Sequence, residues 1–517
     1  MAKRVIVVGA GPGGLAVAML LARAGASVEI IERLGAVGGR TRTVEGRSSA
    51  GNFQFDLGPT FFLYPRILEE IFGLCGRDLR AEVPMVKLDP QYRIVFEGDG
   101  EILATPDVER LEKAVAAISP SDAKNVRRFL ADNRVKFREF EYCLQRPYSG
   151  WRDVVNLRMA KLLPRLKPWQ SLDTHLRSYF RDERVRLSFC FQSKYLGMSP
   201  FACPSLFSIL SFLEYEHGVF HPIGGCGAVS KAMGEAAEEM GVKVRLNEPV
   251  EEILFEGRRA VGVRTCAGEE RADAVIVNAD FARAMTTLVP DRLRRRWSDQ
   301  QIAKKKFSCS TFMLYLGMEG LDEKLAHHNI LLANNYGRNL AEIEKTHRVS
   351  ENPSIYVQNA CVTDPALAPR GMSTLYVLAP VSHQHENIDW KREKSAFRET
   401  VVAQMAKLGI HDVEKRIVYE RVVTPADWDA SYNIHLGATF NLAHSFRQML
   451  HLRPQNRFEE FRNMYLVGGG THPGSGLPVI FESARITSRL VMEDLGLQMD
   501  TAVRAVVEQS PALTEVG

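Results

Sequence analysis

One stretch constrains the fold of this chain more than any other, residues 5 to 32. Val5-Ile6-Val7-Val8 is apolar, β-branched and too short for a helix, so it reads as a buried parallel strand. Gly9-Ala10-Gly11-Pro12-Gly13-Gly14 follows at once, and Leu15 to Ala24 then carries apolar residues at helical spacing. Ser27-Val28-Glu29-Ile30-Ile31 is a second apolar strand, closed by Glu32. Strand, glycine turn, helix, strand and acid in that order form the dinucleotide-binding fingerprint in its proper context. Gly9 permits the tight turn, Gly11 lets the backbone approach a pyrophosphate, and Gly14 lets helix and strand pack closely. The free N–H groups and partial positive charge of the helix N-terminus suit the phosphates. Glu32, 18 residues past Gly14, stands where a carboxylate accepts hydrogen bonds from ribose hydroxyls. The chain therefore begins with a Rossmann-like unit for a dinucleotide.

At 517 residues the chain exceeds what a single hydrophobic core supports, so two domains are expected. A net charge of +4 is too small to argue for nucleic acid, and none is expected as a partner. The eight cysteines stand singly, with no C-x-x-C. That usage suits a reduced cytoplasmic setting, not a disulfide framework or a zinc site, and no metal is expected. Lys3 and Arg4 before an apolar segment imitate a signal peptide, but the glycines at 9, 11, 13 and 14 interrupt what should be a continuous apolar region. The sequence has no run of 18 apolar residues, so no membrane span is expected.

Past Glu32, Gly38-Gly39-Arg40 offers backbone and a guanidinium to a second phosphate or to the flavin side of a dinucleotide. Arg33 alone would suggest a 2′-phosphate, but the adjacent Glu32 disfavours that charge. Phe53 to Thr60 alternates apolar and polar residues around Gly58-Pro59, a strand delivering a loop. Helical patterns then dominate, at Pro106 to Ile118, Ser121 to Leu144, Leu172 to Phe180 and Pro204 to Phe212. Among them, Leu157 to Trp169 interleaves leucine, methionine and tryptophan with Arg158, Lys161, Arg165 and Lys167 and holds no acid. Its composition is that of a segment lying on a membrane surface or, equally, of a basic solvated loop; Pro164 and Pro168 argue against one continuous helix. Arg292 to Trp297 and Lys304 to Lys306 are similar in composition and read as solvated charge.

From His221-Pro222-Ile223-Gly224-Gly225-Cys226-Gly227 the chain returns to nucleotide-domain patterns. A helix is expected over Ala228 to Glu239, with strands at Gly241 to Leu246, Pro249 to Ile253 and Ala274 to Val277. Strands at Phe312 to Gly317, Ser354 to Gln358 and Thr374 to Ala379 mix with helices in the following region. Near the end, Tyr465-Leu466-Val467, the turn Gly468-Gly469-Gly470 and a helix over Ile480 to Leu495 make a second strand, glycine turn and helix N-terminus.

On these residues, and on Asn278 to Asp280 and Thr471-His472-Pro473-Gly474-Ser475-Gly476-Leu477-Pro478-Val479, the chain resembles the bacterial-type phytoene and carotenoid desaturases of the flavin amine oxidase superfamily. The resemblance implies an α/β fold. A Rossmann-like FAD-binding domain of the glutathione-reductase type is joined to a mixed α+β substrate domain containing a helical membrane-facing region. The FAD domain would comprise residues 1–80, 221–290 and 456–500, and the substrate domain 81–220 and 291–455, with a frayed tail at 501–517. FAD, not NAD, would be the cofactor. Gly9, Gly11, Gly13 and Gly14 would hold the pyrophosphate, with Ala10 and Arg33 in the same cofactor-contacting set, and Glu32 would bind the adenosine ribose. Gly39 and Arg40 would follow the phosphates and ribityl chain, Pro59 and Thr60 the isoalloxazine, and Val250 the adenine through its backbone. Gly470 would line the ribityl chain, and Pro478 and Val479 would present a helix N-terminus to the flavin pyrimidine edge. The family commonly continues with small residues after Pro478; Phe481, Glu482 and Arg485 depart from that, which bears on substrate and product more than on the flavin.

The activity implied is desaturation of phytoene or a thirty-carbon analogue, with hydride passing to flavin N5 and a proton lost from the neighbouring carbon. Asp153, where relatives also carry an acid, is the candidate proton acceptor, although a helix cap or a surface acid is the plainer reading; His472 is expected as a turn residue beside the flavin. The implied partners are a hydrophobic polyene, a membrane surface bound peripherally, and quinone or oxygen as electron acceptor; an oligomer is compatible with all of these. The location implied is cytoplasmic and peripheral to a membrane. Competing readings are a carotenoid isomerase or terminal-methyl oxidase on the same scaffold, an amine oxidase, and a catalytically silent flavoprotein scaffold.

Overall fold

The apolar run near the N-terminus forms the central strand, Arg4–Val8, of a five-stranded parallel sheet. The structure, a computed structural model, describes residues 2–499, the side chains of residues 157 and 158 excepted; the tail expected at 501–517 lies outside the described residues. Across the sheet the strands run Lys243–Arg245, Ser27–Ile31, Arg4–Val8, Ala274–Val277 and Met464–Leu466. Val7 pairs with Ile30 on one side and Ile276 on the other. Both faces are covered, which is why these strands read as continuous apolar runs. Val5 and Val7 pack into a core with the helices Pro12–Arg23, Gly225–Glu239 and Leu477–Leu495. Ile6 and Val8 face the other way, toward Ile253 and Val263 of the antiparallel meander Val250–Glu256, Arg259–Thr265 and Gly268–Arg271.

A second, seven-stranded sheet runs Ile417–Val423, Ser310–Glu319, Met372–Val381, Ile355–Asn359, His328–Leu332, Tyr92–Phe96 and Glu101–Ala104. All its neighbours are antiparallel except His328–Leu332 with Tyr92–Phe96. Ile355, Val357 and Val377 lie under the helix Trp390–Lys407 with its Phe397, Val401 and Met405. Strand alternation therefore turns Tyr356 and Tyr376 to the opposite face, toward the glycine turns.

Packed on the strands Tyr92–Phe96 and Glu101–Ala104 of the second sheet are helices around Phe129, Phe180 and Phe189. The helix expected from Pro106 begins at Val108, because Asp107 caps it by accepting from Glu109 N–H (2.9 Å). The expected Ser121-to-Leu144 helix is broken into Pro120–Ala123 and Val126–Leu144. At the break the buried Asp122 carboxylate accepts from Arg181 N–H (2.9 Å) and Asp182 N–H (2.8 Å). Leu172 to Phe180 shortens to Leu172–Leu176, and Pro204 to Phe212 becomes a 3-10 turn, Ser205–Phe207, followed by Ser208–His217. The basic segment is helical over Leu157–Leu166 in spite of Pro164, with Met159, Leu162 and Leu166 buried. Among the described residues no helix is long and apolar enough to cross a membrane.

Candidate active site

The two glycine turns, more than four hundred residues apart, meet at Asn278. Asn278 follows the strand Ala274–Val277 and donates from its side-chain amide to Gly9 O (3.1 Å). Gly9 has φ +99°, and a Cβ there would lie 2.4 Å from Asn278 O. A Cβ on Gly14 would lie 2.3 Å from Gly9 O, so the first helix rests on its strand only because residue 14 has no side chain. Cβ atoms on Gly13 and Gly468 would come within 3.0 and 3.2 Å of Asn278 Oδ1. One amide thus spaces both turns. Two helices begin here, Pro12–Arg23 after Gly11 and Leu477–Leu495 after Gly476. Neither has a side-chain cap or an acid in its first turn. Their unsatisfied N–H groups and positive dipole ends converge on one space.

That space is a cavity of about 940 Å³. It is lined by Gly9, Gly11, Gly13, Glu32, Arg33, Gly39, Arg40, Pro59, Thr60, Val250, Pro478 and Val479, which brings together most of the residues singled out from the sequence. Ala10, Gly14 and Gly470 stand behind the wall. Ala10 N–H donates to Glu32 Oε2 (2.8 Å). A Cβ on Gly470 would lie 2.6 Å from Phe281 Cβ, and Gly468 and Gly469 face the cavity in its place. Asp153 lies outside the cavity, exposed, and accepts from Gly150 N–H (2.9 Å) as part of the short helix Trp151–Val154. His472 is also off the cavity wall, buried edge-on to Tyr148 (5.1 Å), and desolvation pushes it down to about 3. Phe481, Glu482 and Arg485 do not reach the cavity either. Phe481 enters the sheet core, and Arg485 pairs with Glu482 (3.0 Å) and with Glu70 (2.8 Å) on the helix Arg66–Leu74. These departures from a lean pattern shape helix packing, not the chamber.

The polar half of the wall has an ordered donor and acceptor set. Glu32 accepts from Ala10 and Leu34 N–H (both 2.8 Å) and keeps further lone pairs toward the cavity. Arg40 donates to Thr439 O (2.7 Å) and stands near Asp280, leaving most of its five donors for a ligand. Burial raises the Asp280 carboxyl, while Arg40 and the backbone of Arg283 and His435 oppose that shift. Arg33 donates to Ser431 O (2.9 Å). Thr439, Asn441 (2.7 Å from Asp280) and Ser431 come from a region with no local signal in the sequence.

Past Thr60 the wall turns apolar. Phe61, Leu63, Phe140, Leu144, Leu210 and Ile330 belong to this half, drawn from the helices Val126–Leu144 and Ser208–His217 and from the second sheet. At the junction Tyr356 Oη lies 2.7 Å from Thr60 Oγ1 and 2.8 Å from His328 Nδ1, and Tyr376 donates to Gly58 O (2.6 Å). A phosphate-bearing dinucleotide laid on the glycine turns would thus end at a hydrocarbon chamber.

Residues 12–492 match the family described as flavin containing amine oxidoreductase. The chain belongs to that family. FAD is the cofactor of this flavin amine oxidoreductase, and the residues fit it: the glycine cradle is one a Cβ would fill, and two uncapped helix N-termini await an anion. The oxidoreductase is 41% identical over 493 residues to 4,4'-diapophytoene desaturase (4,4'-diapolycopene-forming) from Methylomonas, covering 95% of each chain. It is 38% identical to all-trans-zeta-carotene desaturase from Myxococcus xanthus, over 96% of this chain and 94% of that one. It is 34% identical to phytoene desaturase (lycopene-forming) from Pantoea ananas, over 95% and 100%. In fold it resembles an oxidoreductase from Methanosarcina mazei, with a TM-score of 0.60, 20% identity and coverage of 95% of this chain and 100% of that one. Putrescine oxidase bound to putrescine has a TM-score of 0.58 at 17% identity, covering 96% of this chain and 99% of that chain.

Proposed function

We propose that this flavin amine oxidoreductase introduces C=C bonds into a linear isoprenoid polyene, phytoene or a thirty-carbon analogue. The observation that carries the proposal is one continuous cavity whose anion-favouring, glycine-walled half opens into an apolar half. The desaturase relatives supply the substrate class. When bound, FAD supplies the hydride acceptor.

The chain's own residues do the positioning. Gly11, Gly13 and the first turn of Pro12–Arg23 would receive the pyrophosphate, with Gly9 and Gly14 holding that turn on its strand. Glu32 would accept from the adenosine ribose, and Val250 would meet the adenine through its backbone. Gly39 and Arg40 would follow the phosphates and ribityl chain opposite Gly468 and Gly469. Pro59 and Thr60 would flank the isoalloxazine, and Pro478 and Val479 would bring a helix N-terminus to its pyrimidine edge, favouring the negative charge of the reduced ring. The apolar half would hold one CH₂–CH₂ bond against the flavin and exclude water, which is where the protein's rate gain would come from.

Loading from a membrane surface is part of the same proposal. Trp151 (63% exposed), Val155 (70%) and Trp169 (71%) project from the surface beside the exposed cations Arg152, Lys161, Arg165 and Lys167. The helix Leu157–Leu166 is tied to the cavity-lining helix Val126–Leu144 by Arg165 with Glu139 and by Cys143 against Met159 Sδ (3.6 Å). The polyene would enter past Phe140 and Leu144. A quinone or oxygen would reoxidise the flavin.

The test is purified, FAD-loaded protein on anionic liposomes carrying phytoene or its thirty-carbon counterpart, with and without a quinone under anaerobic conditions. Products two hydrogens lighter per step, with longer conjugation, support the proposal. Unchanged mass indicates isomerisation and added oxygen indicates terminal oxidation, and either outcome defeats it.

A further inference from the structure

We infer that Tyr356, backed by His328, takes up the proton that desaturation removes from the substrate. The inference rests on the desaturase reading above. Turning CH₂–CH₂ into CH=CH removes one hydrogen with its bonding pair, which goes to the flavin, and a second as a bare proton. The pair left by that second C–H bond becomes the π bond, and the proton needs an acceptor at the cavity wall.

The wall offers few. Asp153 is outside it, Glu32 and Glu251 stand with Val250 at the dinucleotide end, Asp280 accepts from Asn441 (2.7 Å) and Arg283 N–H (3.1 Å) beside Arg40, and His444 Nε2 already accepts from Ser475 N–H (3.0 Å). Glu214, a buried carboxyl behind the same wall, accepts from Tyr92 and Gln192 (both 2.9 Å), neither of which faces the cavity; Tyr195, which does face it, stands beside Glu214 and makes that pair the rival relay. Tyr356 does face it, and Val357, the next residue of its strand, lies in the core on the opposite side. Its hydroxyl is bracketed by Thr60 Oγ1 (2.7 Å) and His328 Nδ1 (2.8 Å). The His328 ring is fully buried, stacked on Phe61 at 4.0 Å, and its Nε2 has no hydrogen-bond partner among the described residues. A buried imidazole nitrogen left unpaired costs stability, so its retention calls for a reason.

Proton storage supplies one. Thr60 donates to Tyr356 Oη, Tyr356 donates to His328 Nδ1, and Nε2 carries the ring proton. As the substrate C–H proton passes to Tyr356 Oη, the tyrosine's own proton passes to Nδ1. Tyrosine is regenerated, the imidazole becomes imidazolium, and the C–H bonding pair closes the double bond. No phenolate forms at any point, in keeping with a phenol whose pKa burial drives well above its usual range. Burial and the nearby His221 keep His328 a weak base. A weak base is enough here, because a carbon next to a delocalised allylic cation is a far stronger acid than an imidazolium. The same weakness lets the imidazolium give the proton up after product leaves.

The test mixes anaerobic, FAD-loaded enzyme with phytoene-bearing liposomes and follows flavin bleaching and product in H₂O and D₂O. Tyr356→Phe keeps the ring and the strand. It should retain FAD, lose about 100-fold or more in single-turnover rate, and lose the solvent isotope effect. His328→Gly should be similarly slow and recover on addition of imidazole, a rescue that a merely structural role does not give. In ¹⁵N-histidine-labelled, FAD-loaded protein without substrate, the His328 Nδ1 resonance should move in Tyr356→Phe. Tyr356→Phe turnover within about threefold of wild type, well short of the loss expected on removing an acid–base group, overturns the inference. So does loss of the isotope effect in Glu214→Gln but not in Tyr356→Phe. If Tyr356→Phe loses FAD, imidazole rescue of His328→Gly decides, and its absence overturns the inference. Wild-type enzyme that desaturates neither polyene refutes the underlying reading, whereas active wild type with equally active Tyr356→Phe refutes only this inference.

Discussion

Gly14→Ala isolates the contact that seats the first helix on its strand. Residue 14 is helical, and at an exposed helical site a methyl group in place of glycine stabilises by about 0.5–1 kcal/mol. Here the sign reverses. The new Cβ would lie 2.3 Å from Gly9 O and 2.7 Å from Asn278 Nδ2, and ordinary contact begins at 3.4 Å, so the helix must withdraw by 1.1 Å. Overpacking of that kind costs about 1–3 kcal/mol, for a net loss of about 1–2 kcal/mol in the apoprotein. The larger effect falls on FAD. Phosphate hydrogen bonds near 2.9 Å stretch to about 4 Å, out of range, and losing one or two charge-assisted bonds weakens binding by about 3 kcal/mol, roughly 100-fold in Kd. The control is Gly73→Ala on the helix Arg66–Leu74, where an added Cβ meets nothing within 4 Å. That variant should gain about 0.5–1 kcal/mol and bind FAD as wild type does. FAD titration by flavin fluorescence and urea unfolding of the apoprotein read both quantities. Gly14→Ala that binds FAD within about threefold of wild type and unfolds like Gly73→Ala would refute the close-approach argument.

Four further outcomes are expected. Burial raises the Glu214 carboxyl to about 7 from 4.5, so the folded state holds that proton more tightly than the unfolded chain does. Its stabilising contribution is full below pH 4.5 and is lost as pH rises through 7. The stability difference should therefore move toward Glu214→Gln by about 3 kcal/mol across that window in urea melts. Arg485→Ala leaves the buried Glu482 without its cation and should cost about 3 kcal/mol, largely recovered by adding Glu482→Gln in a double-mutant cycle. Asp153→Ala should remove a cap worth about 1 kcal/mol and leave turnover unchanged; a hundredfold loss of rate would restore a carboxylate acceptor at that position. Trp151→Ala with Trp169→Ala should weaken vesicle binding about tenfold or more without moving the melting temperature.

The dinucleotide half of the site was readable because its signals are local. A β-branched run, glycines at fixed offsets and an acid at the next strand end can be recognised without knowing what touches them. Thr439 and Asn441 had no such signal, because they matter only through Arg40 and Asp280, which lie far away in the chain. Tyr356 is legible in the sequence only as one residue of the strand expected over Ser354 to Gln358; its role at the wall depends on strand alternation in a sheet whose register the sequence does not print. The sequence pattern places Pro478 ahead of a helix starting at Ile480, yet the helix Leu477–Leu495 takes it into the first turn, where its missing N–H costs nothing. The strands Tyr92–Phe96 and Glu101–Ala104 form a short alternating hairpin that the surrounding helical periodicity masks.

The parallel sheet under the cofactor takes its outer strand, Met464–Leu466, from a point more than 180 residues past its neighbour Ala274–Val277. The helix Leu477–Leu495, which closes the second glycine turn, comes later still. On a ribosome, Ala274–Val277 must wait with its outer side unpaired while the residues between are synthesised, so FAD capture becomes a late event that needs both glycine turns. Nascent chains stalled before residue 464 should therefore fail to hold flavin, however intact their first thirty residues are.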